Sequence, residues 1–189
     1  MWLPFQRAVD ARRARLALPP AVRDSLRLLR IRARQRAAED RWTDSGILSL
    51  SRLVALDLET TGPNMHADRI ISIGAVAVTG RTVRHDDAFE LVVRQQRESA
   101  SANILIHQIG GQAQAAGDEP ASALLDCLDY LGASVAVGFR AEFDATVLAR
   151  ELEARLGVPL RTRFLDLAVV LPALFPDRAN VTLDDWILD

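Results

Sequence analysis

Lysine is absent from this 189-residue sequence: all 23 basic residues are arginine. Cysteine is nearly absent too. Cys127 stands alone, which excludes an intramolecular disulfide framework and a cysteine-built zinc cluster. A reducing, cytoplasmic location is the expectation that goes with this. No apolar run approaches the roughly 18–20 residues that a membrane span needs, so no membrane association is expected. Near the start, Trp2, Leu3 and Phe5 form no apolar core of the roughly 7–15 residues found in a secretory signal. Intrinsic disorder is disfavoured as well, because 49% of the residues are apolar and 25% charged.

The small net charge of −2 hides a division. Residues 1–41 hold 11 arginines against Asp10, Asp24, Glu39 and Asp40, a net of +7, while residues 42–189 hold 12 against 21 acids, a net of −9. A basic arm therefore precedes an acidic body. Pro19-Pro20 and the apolar positions Val22, Leu26, Leu29 and Ile31 predict an arm helix over about 21–38. Such a helix can dock on the body, stay solvated or touch nucleic acid, and an Arg-rich, acid-poor start also imitates a transit peptide. Thr43-Asp44-Ser45-Gly46 reads as linker, so the expected division is an arm and linker over 1–48 and a folded domain over 49–189.

Within the body, Leu53–Leu58 has the apolar density of a buried strand. Strands are also expected over 69–78 and 88–93, with a hairpin turn at Thr79-Gly80-Arg81. A helix follows Asp118-Glu119-Pro120 to about Leu131, carried by Leu124, Leu125, Leu128 and Leu131. Then come a short strand over 135–138, a helix over 142–156 stopped by Gly157, a strand edge at 164–166, and helical segments over about 167–174 and 182–188. This order predicts an α/β fold: an antiparallel meander continued by α/β crossovers, giving a mixed sheet with helices on its faces.

Asp57-Leu58-Glu59 demands more than packing. Residues two apart on a strand share a face, so these carboxylates sit side by side. The spacing alone carries little weight, since this composition gives about 0.7 such pairs by chance. Asp57, however, interrupts an apolar strand, where a lone carboxylate costs several kcal/mol unless donors or a cation compensate. Two readings stand at this point: a strand end opening to solvent, or a site for a hard divalent cation such as Mg²⁺ or Mn²⁺. Asp144 adds a second hint, because it aligns with Val147 and Leu148 on the side of its helix expected to face the sheet. It can equally serve the helix dipole in the first turn, as Glu142 can.

The run Val54-Ala55-Leu56-Asp57-Leu58-Glu59-Thr60-Thr61-Gly62, followed by Arg69-Ile70-Ile71-Ser72-Ile73-Gly74-Ala75-Val76, resembles the first motif of the DEDD-type 3′→5′ exonucleases. The nearest subgroup contains the proofreading epsilon subunit of bacterial DNA polymerase III and ribonuclease T. Ile106-His107-Gln108-Ile109 resembles the family's I-H-G-I segment, and Val137–Asp144, ending in Phe143-Asp144, resembles its second motif. Phe164-Leu165-Asp166-Leu167-Ala168 with Leu171–Pro176 resembles the region before the third motif. The likeness covers about residues 52–188.

This resemblance implies a ribonuclease-H-like mixed sheet and hydrolysis of phosphodiester bonds with two divalent cations, Mg²⁺ or Mn²⁺. Asp57 would bridge both ions, Glu59 would bind one, and Asp144 would support the second. Thr60, Thr61 and Gly62 would touch the terminal nucleotide, and His107 would line its pocket or serve as a core histidine. Asp166 is expected to cap a helix. The implied partners are 3′ ends of single-stranded nucleic acid, DNA ahead of RNA, and a DNA polymerase subunit. Two departures accompany the matches. Gly138-Phe139-Arg140 stands where the second motif usually has a His-Asn pair. The third motif, His followed five residues later by Asp, is expected beyond Leu183-Asp184-Asp185-Trp186, whereas the histidines here are His66, His85 and His107. The expectation is a C-terminally truncated exonuclease domain with crippled catalysis, and the alternative is a non-catalytic nucleic-acid-binding or polymerase-associated module of the same fold.

Overall fold

A computed structural model describes residues 52–178 and 182–187, together with residues 23, 24, 27, 28, 30–32 and 34 of the arm. The Arg-rich start and the linker around 43–46 lie outside the described residues. The body runs β1 (Leu53–Thr60), β2 (Ile70–Thr79), β3 (Thr82–Val92), α1 (Ser101–His107), α2 (Gly111–Ala116), α3 (Pro120–Leu131), β4 (Val135–Gly138), α4 (Glu142–Leu156), β5 (Phe164–Asp166), α5 (Leu167–Leu174), a 3₁₀ turn (Pro176–Arg178) and α6 (Leu183–Ile187). The strands form one sheet in the order β3-β2-β1-β4-β5. β1, β2 and β3 pair antiparallel, and β4 pairs parallel with β1 and β5. The sheet is mixed, as the β-β-β-α-β-α-β order requires.

Gly80 and Arg81 turn the β2–β3 hairpin with φ of 58° and 71°, the positive pair that a two-residue turn needs to match strand twist. β3 begins six residues earlier than its apolar run, because an edge strand pairs through backbone groups whatever its side chains. Its register jumps from Ala88 opposite Val76 to Arg84 opposite Ala77, which bulges out residues 85–87. Arg52 holds that bulge: its Nε and a terminal nitrogen meet the two Asp87 carboxylate oxygens at 2.9 and 3.0 Å. The same guanidinium donates to the Tyr130 carbonyl and Ser134 Oγ, and lies 4.5 Å from the Tyr130 ring centroid.

One sheet face carries the core. Val54, Leu56 and Leu58 alternate inward and meet Leu124, Leu128 and Leu131 of α3 and Val147, Leu148 and Leu152 of α4. Leu53, Ala55, Asp57 and Glu59 fall on the opposite face of β1 by the same alternation. α3 starts on Pro120 after a Glu119 carboxylate that accepts from the Ser122 N–H at 2.9 Å, and α4 ends on Gly157 at φ 61°.

The described arm residues are helical. Arg27, Ile31 and Arg34 share one face by their i, i+4, i+7 spacing. Ile31 is 1% exposed within the main core, and Arg27 and Arg34 pair with Asp126 and Asp129 of α3 at 2.5–3.4 Å. The arm helix is thus a docked one. Its ion pairs are largely exposed and contribute at most about 1 kcal/mol each, so the apolar contact dominates. Replacing Ile31→Ala should therefore cost about 2–5 kcal/mol by urea denaturation. A cost below about 0.5 kcal/mol, ordinary for a surface residue, would mean that the helix is not seated there.

Candidate active site

β1 delivers Asp57 and Glu59 to the end of the sheet where β4 and β5 also finish, and the chain then bends through Thr60–Arg69. Asp68 organises this loop. Its carboxylate accepts from Thr61 Oγ1 at 2.7 Å and from the Asn64 N–H at 2.8 Å, while Thr61 Oγ1 accepts from the Arg69 N–H at 3.0 Å. A Cβ on Gly62 would stand 2.7 Å from an Asp68 carboxylate oxygen, so any larger residue there would have to displace the carboxylate that organises the loop. Thr60 Oγ1 donates to the Gly62 carbonyl at 2.7 Å. Both threonine hydroxyls, expected on a terminal nucleotide, are engaged inside the loop. Arg150 of α4 donates to the Met65 and Asp68 carbonyls and fixes the loop against the body.

Asp144 enters from the first turn of α4 and is 6% exposed, with Val147 and Leu148 fully buried beneath it. The β1–β4 ladder ends at Ala55 opposite Val137, and further along β1 the Leu58 N–H donates to Asp144 Oδ1 at 3.1 Å. Burial, then the nearby Asp57 charge, push the Asp144 carboxyl up to about 6 against the opposing pull of that N–H. Asp57 is the most open of the three, yet partial burial still raises it above the usual carboxylate range. Glu59 is raised by burial and by Asp57, with His107 acting in the opposite direction. Asp57 therefore lies within electrostatic reach of Glu59 and of Asp144, and Glu59 within reach of His107. No salt bridge reaches the three carboxylates among the described residues.

Among the described residues, no three His, Cys, Asp or Glu side chains already stand close enough to enclose one ion. The donor chemistry nevertheless fits a hard cation: three carboxylates, all raised chiefly by burial and none in a salt bridge among the described residues. Asp166 takes the role of a cap. Its Oδ1 accepts from the Ala168 N–H at 2.8 Å at the start of α5 and from the Arg140 N–H at 2.9 Å. Arg140 holds φ 59°, a left-handed conformation costing an arginine about 1–2 kcal/mol, at the place where the second motif departs from its usual His-Asn.

His107 closes α1. Its Nδ1 accepts from the Ile109 N–H at 3.0 Å and its Nε2 meets Ser99 Oγ at 3.2 Å. Behind Ser99 stands Gln114 of α2, fully buried, and Asn103 of α1 donates to the Thr61 carbonyl. Sequence reasoning missed Ser99, Asn103 and Gln114. Each is an uncharged polar residue in a segment without apolar periodicity, so no local signal marks it.

The sequence model of the exonuclease family RNase_T matches residues 54–187. The chain belongs to this exonuclease family. No curated protein matches the sequence. Among solved structures, E. coli exonuclease I in complex with a dT13 oligonucleotide is similar at 19% identity and a TM-score of 0.58, over 66% of this chain and 30% of that one. The zinc-ion-bound E. coli exonuclease I–ssDNA complex gives 18% identity and a TM-score of 0.60, over 71% and 32%. At such identities the likeness shows the ribonuclease-H-like fold, and the chain spans roughly a third of the exonuclease I length it matches. The family assignment agrees with the mixed sheet and its carboxylate-bearing end.

Proposed function

We propose that this chain is a metal-dependent 3′→5′ exonuclease domain of the proofreading type that acts on single-stranded 3′ ends, DNA in preference to RNA. One observation carries the reading. Asp57 and Glu59 share one face of β1 and Asp144 accepts from the Leu58 N–H between them, all three raised chiefly by burial and none in a salt bridge among the described residues. Mg²⁺ or Mn²⁺ ions bound there would stabilise charge on the attacking and leaving oxygens of phosphodiester hydrolysis. Asp57 would hold two ions, Glu59 one of them, and Asp144 the second. The rigid Thr60–Gly62 turn and His107 would line the terminal nucleotide. The binding of single-stranded DNA by exonuclease I supports the choice of substrate class.

A second reading keeps the fold and drops the chemistry: a nucleic-acid-binding or polymerase-associated module. The engagement of both His107 ring nitrogens within the protein favours it. An end-labelled single strand separates the two readings. Slow, metal-dependent release of mononucleotides from a 3′ label under single-turnover conditions, abolished by chelator and by Glu59→Gln, is the expected result. Release first from a 5′ label would refute the polarity, and tight binding with no release, both by this chain and by a version extended with a His-x4-Asp helix, would establish the module.

A further inference from the structure

Three of the five buried polar or charged residues among those described, Gln95, Ser99 and Gln114, belong to one network beneath α1. Buried polar groups are retained only when satisfied, so such a concentration calls for a purpose. The polarity of every bond in it follows from backbone groups, whose donor and acceptor roles are fixed. The Ser99 N–H donates to Gln114 Oε1 at 3.1 Å, and Gln114 Nε2 donates to the Ile109 carbonyl at 2.8 Å, which together set the amide's orientation. The second Nε2 hydrogen then goes to Ser99 Oγ at 2.9 Å, making that oxygen an acceptor. On the other side, the Ile109 N–H requires an unprotonated His107 Nδ1. The neutral ring must carry its proton on Nε2, and that N–H donates to Ser99 Oγ across 3.2 Å. Gln95 ties the network to the sheet: its N–H donates to the Gln114 carbonyl at 2.8 Å, and its Nε2 donates to the Ile70 and Val93 carbonyls.

We propose that Gln114 and Ser99 are positioning residues. The Ile109 N–H selects the Nε2-protonated tautomer of His107, and Gln114 and Ser99 lock the ring's orientation by holding the acceptor that its Nε2–H needs, so that His107 meets a nucleotide with its ring. Gln114 acts only through Ser99 and His107, since it is fully buried. The inference rests on the nucleotide-site reading for its functional half, while the orientation lock stands on the geometry alone.

The test combines long-range ¹⁵N–¹H spectra of the full chain with anisotropy measurements on a labelled oligo(dT), using His107→Phe to assign the His107 signals. The wild type should show a protonated Nε2 and an unprotonated Nδ1 at His107. Gln114→Met and the smaller change Ser99→Ala should each leave Nδ1 unprotonated, shift and broaden the Nε2–H signal as it loses its fixed acceptor, and weaken oligo(dT) binding about tenfold, roughly the worth of one or two hydrogen bonds. His107→Phe, which keeps a ring, should bind within about threefold of wild type, and His107→Ala should lose about tenfold. A His107 spectrum unchanged in both network variants overturns the lock. Equal oligo(dT) binding by His107→Ala and wild type overturns the ring's role while leaving the exonuclease reading intact. A wild type that binds no strand removes the reading itself, and the spectra still decide the lock.

Discussion

Adding Mn²⁺ at about a hundred times its dissociation constant should raise the melting temperature by about 5–10 °C, and Asp57→Asn should abolish the rise. The size follows from linkage: a ligand at that excess that binds only the folded state contributes about 2.7 kcal/mol, and a domain of this length gains about 2–4 °C per kcal/mol. The effect should depend on pH in a definite direction. Asp144 titrates near 6 when folded, above the value of 3.8 for a free side chain. Without metal, the folded state holds the extra proton, so the Asp144 contribution to stability is largest below about pH 4 and falls as pH rises through 6. A cation competes for that same oxygen, so Mn²⁺ stabilisation should strengthen over the interval in which the metal-free protein weakens. Calorimetry at pH 5 and pH 8 measures both. Equal stabilisation of wild type and Asp57→Asn would remove Asp57 from the site.

A polypeptide of these 189 residues should turn over 3′ ends about 10²–10⁴-fold more slowly than one carrying the third motif of the family, the span typical of general-base catalysis. None of the three histidines in these residues is placed to take that proton. His107 has both ring nitrogens engaged within the protein, and His66 and His85 are exposed, with His85 in the β3 bulge. Neither exposed ring belongs to an element that ends beside Asp144. Single-turnover hydrolysis of a 3′-labelled strand by this polypeptide, beside a version extended with a His-x4-Asp helix, gives the ratio. Equal rates would mean that a group other than histidine takes the proton.

The parts of this fold that were legible in the sequence are those in which one residue's burial repeats along one element. β1 announced itself by an unbroken apolar run, α3 by Leu124, Leu128 and Leu131, and α4 by Val147 and Leu148 under Asp144. Asp57 stood out because a carboxylate in such a run needs an explanation. What stayed hidden depends on partners distant in sequence. The polar half of β3 pairs through its backbone and is shaped by Arg52 from the start of β1. α1 has consecutive Ile104, Leu105 and Ile106, with the last two 81% and 78% exposed, so no stripe faces the core. α2, Gly-Gln-Ala-Gln-Ala-Ala, has no large apolar residue at all, and its one buried side chain is Gln114. The docking of the arm depended on Ile31 joining the core cluster that holds Leu128 of α3 and Val158, which composition cannot reveal.

The hydrogen bond from the Leu58 N–H to Asp144 changes how genetics on this site must be read. Asp144→Ala would remove more than a charge. It would leave a buried backbone donor unsatisfied at the place where the strand ladder has already stopped, a loss of about 1–3 kcal/mol that falls on the junction of β1 and α4. An inactive Asp144→Ala allele would therefore confound missing chemistry with a loosened scaffold, and cooler growth would restore the scaffold without restoring catalysis. Asp144→Asn keeps an oxygen for Leu58 and withholds only the charge, which makes it the allele that separates a ligand from a joist.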